Sequence, residues 1–269
     1  MRDSMTLAKV QAYGNDFLYV ESVDADAPAW PEHARRACAR QTGIGADGLI
    51  VYRRTPSGAS MRLFNADGSP SEVSGNGVRG LAALLVWQDP KSAPGPGAVL
   101  VVETDAGPKS LELLERQGHR LTFRAAMGAP TDLRRERLEV GGERLDAVVL
   151  RVGNPQCVLL EPLLDEARFR RLGPLIERHP AFPARTNVEF ARVESRSRVR
   201  ILIWERGVGP TQASGTGACA AAAAAMHYAG ADPIVEVESP GGTQVVEWRG
   251  GGLYLTGCAE VVWEGRWIR

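Results

Sequence analysis

Cysteine is scarce in this sequence, and its spacing does not indicate a metal site or a disulfide framework. The cysteines are far apart, form no Cys-x-x-Cys pair and have no histidines arranged near them as metal ligands. We therefore expect reduced, mostly buried thiols in a cytoplasmic protein. The residues concerned are Cys38, Cys157, Cys219 and Cys258.

An excess of charge of either sign is also missing. The 269 residues include 32 basic and 32 acidic side chains, so the formal net charge is zero. This balance indicates neither a nucleic-acid partner nor an anionic membrane surface. No signal peptide is visible at the start, and the apolar tract 218–226 has only about half the length of a membrane span. The tract is better explained as a helix packed on all sides, and a small molecule is the expected partner.

Strand-like and helix-like segments alternate along the chain. The pattern predicts helices over 31–40, 78–88 and 165–178, with a loop over 89–97 after the second one. It predicts a first strand over 7–23 that is interrupted by a turn at 14–16. Further strands are predicted at 49–53, 61–64, 99–103, 109–114, 120–124, near 138 and 148, up to 190, and at 199–204. Residues 128–135 have an irregular, charged texture that predicts no strand.

Polar landmarks recur along the chain at nearly one offset. Gly14-Asn15 precedes Gly153-Asn154 by 139 residues, and the offset is 140 both from Asp47 to Asn187 and from Ser74 to Ser214. Coincidence among glycine- and asparagine-rich turns is the alternative, but the flanking segments match as well. We predict an α+β protein of two pseudo-symmetric α/β halves. They are residues 1–120, joined by the C-terminal segment 260–269, and residues 121–259.

Each half carries a serine where a glycine-rich turn leads into a helix. The two turns read Ser74-Gly-Asn-Gly and Ser214-Gly-Thr-Gly. The first N–H groups of a helix have no partner within it, and glycine lets a ligand approach them, so each turn is a candidate anion site. The alternative is that each serine only caps its helix, which serine does well.

Several polar residues near these turns have the chemistry to hold an amino acid. Asparagine both donates and accepts hydrogen bonds, a glutamate accepts from an ammonium group, and an arginine binds a carboxylate with two hydrogen bonds. The alternatives are turn formation for each asparagine and a solvated surface pair for the adjacent glutamate and arginine. The candidates are Asn65, Asn154, Asn187, Glu205 and Arg206.

Taken together, the motifs resemble the diaminopimelate epimerase family of the cofactor-independent amino-acid racemase and epimerase superfamily. The resemblance extends over nearly the whole chain. It is carried by 14–17, 43–48, 64–69 (Phe-Asn-Ala-Asp-Gly-Ser), 75–79, 153–155, Asn187, 205–207, 215–218 and 240–242. It implies two similar halves with the ligand in a cleft between them, no cofactor or metal, and a homodimer.

The resemblance also implies roles for individual residues. The amino and carboxylate groups of the substrate would be held by the polar candidates named above and by backbone amides at Gly75, Asn76, Gly215 and Thr216. Asn15 would lie nearer the distal end of the substrate. Ser74 and Ser214 occupy the positions of the two residues that transfer protons, and Glu205 is the remaining candidate for an acid–base partner.

The chain departs from the family pattern at the proton-transfer positions. The family has cysteine where Ser74 and Ser214 stand, histidine where Gln156 stands, and commonly a further cysteine where Gly80 stands. An alcohol is a much weaker acid than a thiol, so we expect amino-acid binding to be retained better than epimerisation. The leading hypothesis is an isomerase of the diaminopimelate epimerase type. The alternatives are a divergent or inactive amino-acid-binding protein, and deliberate replacement of the cysteines.

Overall fold

The structure is a computed structural model that describes residues 4–89 and 95–268. Residues 90–94 of the predicted loop 89–97 lie outside the described part. The chain divides into two compact units, one of Met1–Ala125 with Cys258–Arg269 and one of Ala126–Gly257. The boundaries predicted from the sequence were 120/121 and 259/260.

The first unit contains two helices of different character among its described residues. Helix α1 is short and covers one face of the strands, whereas α2 is buried along nearly its whole length. The elements in chain order are β1 Ser4–Ala12, β2 Asn15–Glu21, α1 Trp30–Cys38, β3 Gly48–Thr55, β4 Gly58–Asn65, β5 Pro70–Ser71, α2 Gly75–Gln88, β6 Val99–Glu103, β7 Lys109–Gln117 and β8 Arg120–Gly128.

Strands β2 and β3 form the centre of this unit. They pair in parallel, with Phe17 opposite Gly48, and their middle residues, 17–20 and 49–52, form continuous apolar and buried runs. Such continuous apolar strands are typical of sheets covered on both faces. Here Leu49 packs in a core with α1, while Ile50 packs in a second core with α2. The start of α2 is therefore held against the interior of the unit.

The turn predicted at 14–16 lies one residue earlier in the structure. Tyr13 and Gly14 both have positive φ, at 56° and 83°, and they form a two-residue hairpin between β1 and β2. Asn15 and Asp16 already belong to β2. Positive φ at both central residues gives the turn whose twist matches paired strands, so the hairpin is tighter than the sequence suggested.

The second unit repeats this plan with larger strands. Its central helix, α4, is surrounded by apolar strands, and α3 covers the opposite face of the sheet. The elements in chain order are β9 Thr131–Val140, β10 Glu143–Val152, β11 Asn154–Leu160, α3 Glu166–Glu177, β12 Asn187–Ser195, β13 Arg198–Glu205, β14 Gly209–Thr211, α4 Gly215–Tyr228, β15 Ile234–Ser239 and β16 Gly242–Arg249. The last strand, β17 Gly252–Ile268, begins in this unit and belongs to the first unit from Cys258 onward.

Helix α4 confirms the expectation of a helix packed on all sides. Residues 217–225 are fully buried against the strands of the second unit. Alanine makes this possible because its small side chain lets neighbouring strands approach closely and has the highest helix propensity. Among the helices of the described residues, none is long and apolar enough to cross a membrane.

The strand register refines the predicted repeat. In the second unit β11 and β12 pair in parallel with Gln156 opposite Asn187, as Phe17 lies opposite Gly48 in the first. Asn15 and Asn154 start β2 and β11 and are matched in the repeat, so Phe17 corresponds to Gln156. The residue opposite Phe17, Gly48, is therefore the equivalent of Asn187. The pairing of Asp47 with Asn187 was therefore wrong by one residue. The central helices keep the offset of 140 at both ends.

The region 128–135 was wrongly predicted to be irregular. Strand β9 begins at Thr131 and pairs with β10 along most of its length. Its charged side chains face solvent on one side while Leu138 and Val140 are buried on the other. The alternation of exposed and buried residues begins only near the end of β9, so residues 128–135 alone do not show it.

Candidate active site

Ser74 is the N-cap of α2. Its backbone is extended, and its Oγ accepts a hydrogen bond from the amide of Gly77 at 3.1 Å. The carbonyl of Ser74 accepts from the amide of Val78 at 2.8 Å. The amides of Gly75 and Asn76, in the first turn, have no acceptor within the helix. Gly75 is exposed, and a Cβ there would have no neighbour within 4 Å, so a ligand has room to reach these amides.

A chain of polar side chains leads from α2 to the start of β2. The buried Arg79 donates to Asn76 Oδ1 at 3.0 Å, and Asn76 Nδ2 donates to Asn15 Oδ1 at 3.3 Å. Asn15 Nδ2 in turn donates to Asp47 Oδ2 at 2.6 Å. The structure thus connects two of the predicted binding residues, Asn15 and Asn76, through one network that fixes their orientation.

Asn65 lies apart from that chain of hydrogen bonds. It is the last residue of β4, it is exposed, and its Nδ2 donates to Ser69 Oγ at 3.0 Å. The amide of the next residue, Ala66, donates to the carbonyl of Asp47 at 3.1 Å. The turn that follows Asn65 is therefore held at the end of β3, beside Gly48, which pairs with Asn65.

Asp16 anchors the base of this network through Lys9 and Arg40. Its carboxylate contacts Lys9 Nζ at 2.8 Å and Arg40 Nη2 at 2.9 Å. Burial alone raises the pKa of Asp16, but the hydrogen bonds and charges of Arg40 and Lys9 outweigh it and hold the pKa below its ordinary value. A carboxyl group with a lowered pKa contributes stability above its unfolded pKa of about 3.9 and loses it as the pH falls.

We expect Asp16→Asn to lower the free energy of unfolding at pH 7 by about 1 to 3 kcal/mol, because it removes charge-assisted hydrogen bonds. The difference from the unmodified chain should shrink as the pH falls below about 4, because Asp16 of the unfolded chain is protonated first and the folded-state carboxylate only at lower pH. Urea denaturation at pH 7 and pH 3 measures both effects. Asp146→Asn, at a side chain 83% exposed, is the matched control and should change stability by less than about 1 kcal/mol. An equal loss at both pH values would contradict the assignment.

Ser214 is the N-cap of α4 and is more buried than Ser74. Its Oγ accepts from the amide of Gly217 at 3.2 Å and lies 3.4 Å from Thr216 Oγ1. Ser214 is 7% exposed and Gly215 is buried. Both serines therefore cap their helices, as the simpler interpretation of the sequence held. Capping uses each oxygen as an acceptor and leaves each hydroxyl proton available to donate.

The predicted binding residues of the second unit lie at the ends of β11, β12 and β13. Asn187 Oδ1 accepts from the backbone amide of Arg206 at 2.8 Å, which ties the start of β12 to the loop after β13. Asn154 Oδ1 accepts from Gln156 Nε2 at 2.6 Å. Thr211 Oγ1 donates to Glu205 Oε1 at 2.7 Å. These contacts fix the three side chains in orientation.

The Arg206 side chain makes a different contact from the rest of this set. It is exposed, and Nη1 donates to the carbonyl of Ala184 at 3.1 Å. The buried Glu177 fixes the loop that carries Arg206. It accepts hydrogen bonds from the amide of Gly207 at 3.0 Å and from Trp204 Nε1 at 2.9 Å. The backbone at Arg206 is thus fixed while its guanidinium remains accessible.

Glu189 was missed by the sequence reading. It is fully buried in β12, two residues after Asn187, and neither of its carboxyl oxygens has a hydrogen-bond partner among the described residues. A Cβ on Gly217 would lie 2.8 Å from Glu189 Oε1, so the carboxyl group faces the first turn of α4. The available signal was an acidic residue inside the apolar run Val188–Ala191.

None of the four cysteines forms a disulfide, and all four are buried, which confirms the expectation of reduced, mostly buried thiols. Burial, reinforced by Asp16 and Asp47, raises the pKa of Cys38 to about 12, and burial also raises the pKa of Cys157. Within the described residues, no three histidine, cysteine, aspartate or glutamate side chains are placed to hold a metal ion.

The fold is that of a known class of enzymes. A solved hydroxyproline epimerase from Agrobacterium vitis superposes with a TM-score of 0.71 at 16% identity, over 99% of this chain and 93% of that one. The α+β architecture with two repeated halves, which the sequence predicted, is therefore also the fold of that epimerase.

Sequence comparison narrows the class to one family. The family model described as diaminopimelate epimerase matches residues 7–132 and 148–262. A diaminopimelate epimerase from Desulforudis audaxviator is 43% identical over 98% of this chain and 100% of its own length. Another, from Desulfitobacterium hafniense, is 39% identical over 97% of each chain. The chain belongs to the diaminopimelate epimerase family.

Proposed function

We propose that this chain inverts the configuration at the α-carbon of an amino acid, and that its substrate is diaminopimelate, converted from the LL to the meso form. The observation that supports this best is the match to named diaminopimelate epimerases along both halves of the chain. Each half also starts its central helix with the same Ser-Gly-x-Gly turn. No cofactor or metal is part of the proposal.

The binding roles follow from the chemistry of the side chains. We assign the substrate carboxylate to Arg206 and to the first-turn amides of the two helices, at Gly75, Asn76, Gly215 and Thr216, which favour negative charge. We assign the ammonium group to Glu205. Asn65, Asn154 and Asn187 supply neutral donors and acceptors, and Asn15 lies toward the distal end.

Inversion requires that the α-carbon lose one proton and receive another. In the proposed reaction one serine acts as the alkoxide: the Cα–H bond breaks, the proton forms an O–H bond on that oxygen, and the electron pair stays on the α-carbon. A new Cα–H bond then forms with the hydroxyl proton of the other serine, whose oxygen is left as the alkoxide. Ser74 and Ser214 are assigned these two roles because they stand at the family's proton-transfer positions.

A second candidate function is amino-acid binding without turnover. It is favoured by one observation: the Oγ of each serine is already an acceptor for an amide of its own helix, at 3.1 and 3.2 Å. An alcohol used in this way is a far weaker base than a thiolate. The two functions differ in whether the α-hydrogen of a bound amino acid exchanges with solvent.

Deuterium exchange and calorimetry together distinguish these functions. The protein is incubated with LL-diaminopimelate in deuterated water, and α-deuterium is followed by NMR. We expect incorporation above a buffer blank, together with formation of the meso isomer. Binding by calorimetry with exchange no faster than the blank would establish the second function instead. Absence of both would contradict both candidates.

Arg206 offers a direct test of the binding assignment. We expect Arg206→Gln to weaken the binding of LL-diaminopimelate by about tenfold or more, because a charge-assisted hydrogen bond to a carboxylate contributes about 1.5 to 3 kcal/mol. Calorimetry measures the change in Kd. The matched control is Arg196→Gln, an exposed arginine of the same unit that pairs with Asp232 at 2.6 Å. An unchanged Kd for Arg206→Gln would remove Arg206 from the binding site.

The proposal also includes the setting of the protein. We place it in the cytoplasm, where a small amino acid is its ligand, and assign it neither a nucleic-acid nor a membrane partner. A homodimer remains a prediction from the family resemblance.

A further inference from the structure

Near the first turn of α4 lies a buried carboxyl group, that of Glu189, which has no role in the proposed reaction. Glu189 is 0% exposed, and both of its oxygens lack a hydrogen-bond partner among the described residues. Leaving such a group unpaired in a protein interior is costly, so it is seldom kept without a function.

The geometry directs Glu189 toward Ser214. The position of a Cβ on Gly217 would lie 2.8 Å from Glu189 Oε1 and 3.3 Å from Ser214 Oγ. The distance between Glu189 Oε1 and Ser214 Oγ therefore cannot exceed the sum of these two distances. Glu189 and Ser214 make no direct hydrogen bond with each other, and a single bridging water spans a gap of about this size.

The surroundings keep the proton on Glu189. Burial, and then the negative charge of Glu205, raises its pKa well above the ordinary value. Glu205 is the last residue of β13, which pairs with β12, and Gln156 lies opposite Asn187 on the other neighbouring strand. Gln156 is neutral, so it adds no charge to the cluster. Burial and the charge of Glu205 both favour the carboxylic acid form of Glu189, which has a proton to give.

The first unit provides an internal comparison. There Gly77 stands where Gly217 stands, and a Cβ on Gly77 would meet Ile50 Cδ1 at 2.8 Å. By the strand register Ile50 is the equivalent of Glu189, and Phe17 is the equivalent of Gln156. The same position thus carries an apolar side chain beneath Ser74 and an ionisable one beneath Ser214. Since the helix and its cap are equally formed in both units, an acid is not needed to build the turn.

We propose that Glu189 is a positioning residue that supplies and recovers the proton of Ser214 during the isomerisation, and this inference rests on the proposed function. When the Ser214 hydroxyl gives its proton to the α-carbon, the Glu189 O–H bond breaks and a new O–H bond forms on Ser214, leaving a Glu189 carboxylate. In the opposite direction Ser214 takes the α-proton as its own hydroxyl proton returns to Glu189. No co-reactant is needed, because only protons move.

Three substitutions separate this role from a structural one. Glu189→Gln keeps the shape and removes the acid, Glu189→Ile introduces the residue that the first unit has, and Glu189→Asp keeps an acid on a shorter side chain. Glu161→Gln is the matched control, because Glu161 is a partly buried carboxylate of the same unit that pairs with Arg168 on the α3 side. Each protein is incubated in deuterated water with LL- and with meso-diaminopimelate, and inversion and α-exchange are measured separately.

We expect Glu189→Gln and Glu189→Ile to slow inversion by about 100-fold, the usual contribution of a positioned acid or base, while thermal stability is unchanged or higher. Exchange without inversion should persist from the stereoisomer that loses its proton to Ser74 and should be lost from the other. Glu189→Asp should recover part of the inversion, and Glu161→Gln should retain it.

The outcomes distinguish the two proposals. Exchange from neither stereoisomer by the unmodified chain overturns the proposed function, and the role of Glu189 with it. Inversion by the unmodified chain that Glu189→Ile leaves within about threefold overturns the role of Glu189 alone. An equal loss of exchange from both stereoisomers, with no recovery in Glu189→Asp, also overturns it, because that pattern marks a structural effect.

Discussion

The variant with both Ser74→Cys and Ser214→Cys is expected to invert LL-diaminopimelate at least about 100-fold faster than the unmodified chain. A thiol has an ordinary pKa of about 8.5, and a helix N-terminus lowers it further, so a thiolate base forms near neutral pH. Both positions are helix N-caps whose Oγ already faces an N–H group of the first turn. The same N–H groups would stabilise a thiolate sulfur at either position.

The single variants are the controls for this result. Each should fall short of the double variant, because inversion needs proton transfer at both positions. Sulfur is a poorer cap than a hydroxyl oxygen, so we expect each substitution to cost about 0.5 to 2 kcal/mol of stability, to be measured by urea denaturation. A folded double variant that inverts no faster than the unmodified chain would contradict the assignment of these positions.

Gly80→Ala is expected to destabilise the first unit by about 1 to 3 kcal/mol, although alanine is the better helix former. A Cβ at residue 80 would lie 2.1 Å from Tyr19 Oη and 3.1 Å from Tyr19 Cζ. Tyr19 is buried, and its hydroxyl donates to the carbonyl of Gly77 at 2.9 Å, so it has no free direction in which to move. The hydroxyl thus occupies the space that the family's usual cysteine would need.

A double-mutant cycle measures this contact. Tyr19→Phe alone should cost about 1 kcal/mol for the lost hydrogen bond. Tyr19→Phe also removes the oxygen that a Cβ at residue 80 would clash with. Gly80→Ala should therefore lower stability by at least about 1 kcal/mol less in the Tyr19→Phe background than in the unmodified chain. Gly75→Ala, where a Cβ meets nothing within 4 Å, is the control and should be nearly neutral in stability. Strict additivity of Gly80→Ala and Tyr19→Phe would show that Tyr19 is not the obstacle.

Much of the fold was predictable because it depends on local patterns. The helix starts at Ser74 and Ser214 were visible as a serine followed by a glycine-rich turn and an apolar run, and the structure confirms both caps. The repeat was visible as one offset between polar landmarks. Register was not visible in this way, because strand pairing depends on contacts far apart in the chain, and this explains the error of one residue at Asp47.

The strands that went unassigned have a related cause. No strand was predicted after residue 204, yet β14 precedes α4, and β15, β16 and β17 cover most of the chain that follows α4. Strand β17 has buried residues on both faces near its middle and exposed ones toward its end, so no single alternation runs through it. Its boundaries depend on which neighbours it pairs with rather than on its own sequence.

Only some residues of the candidate site could be named from the sequence. Residues in recognisable motifs, such as Asn187 and Arg206, could be named as candidates from the sequence alone. Glu189 could not, because a single glutamate in a strand is normally read as a solvent-facing position. Only the burial of β12 between α3 and α4 places its carboxyl group beneath Ser214. This three-dimensional context gives an ordinary residue an unusual environment.

The central claim is that the two serine hydroxyls carry the protons of the reaction, and glycine substitutions test it most directly. Ser74→Gly and Ser214→Gly remove the hydroxyls while costing only a few tenths of a kcal/mol as helix caps. The measurement is α-deuterium incorporation from LL-diaminopimelate in deuterated water, with meso product followed in parallel. We predict that the unmodified chain forms deuterated meso product and that each glycine variant binds the substrate but forms none. Undiminished inversion in either glycine variant would contradict the account.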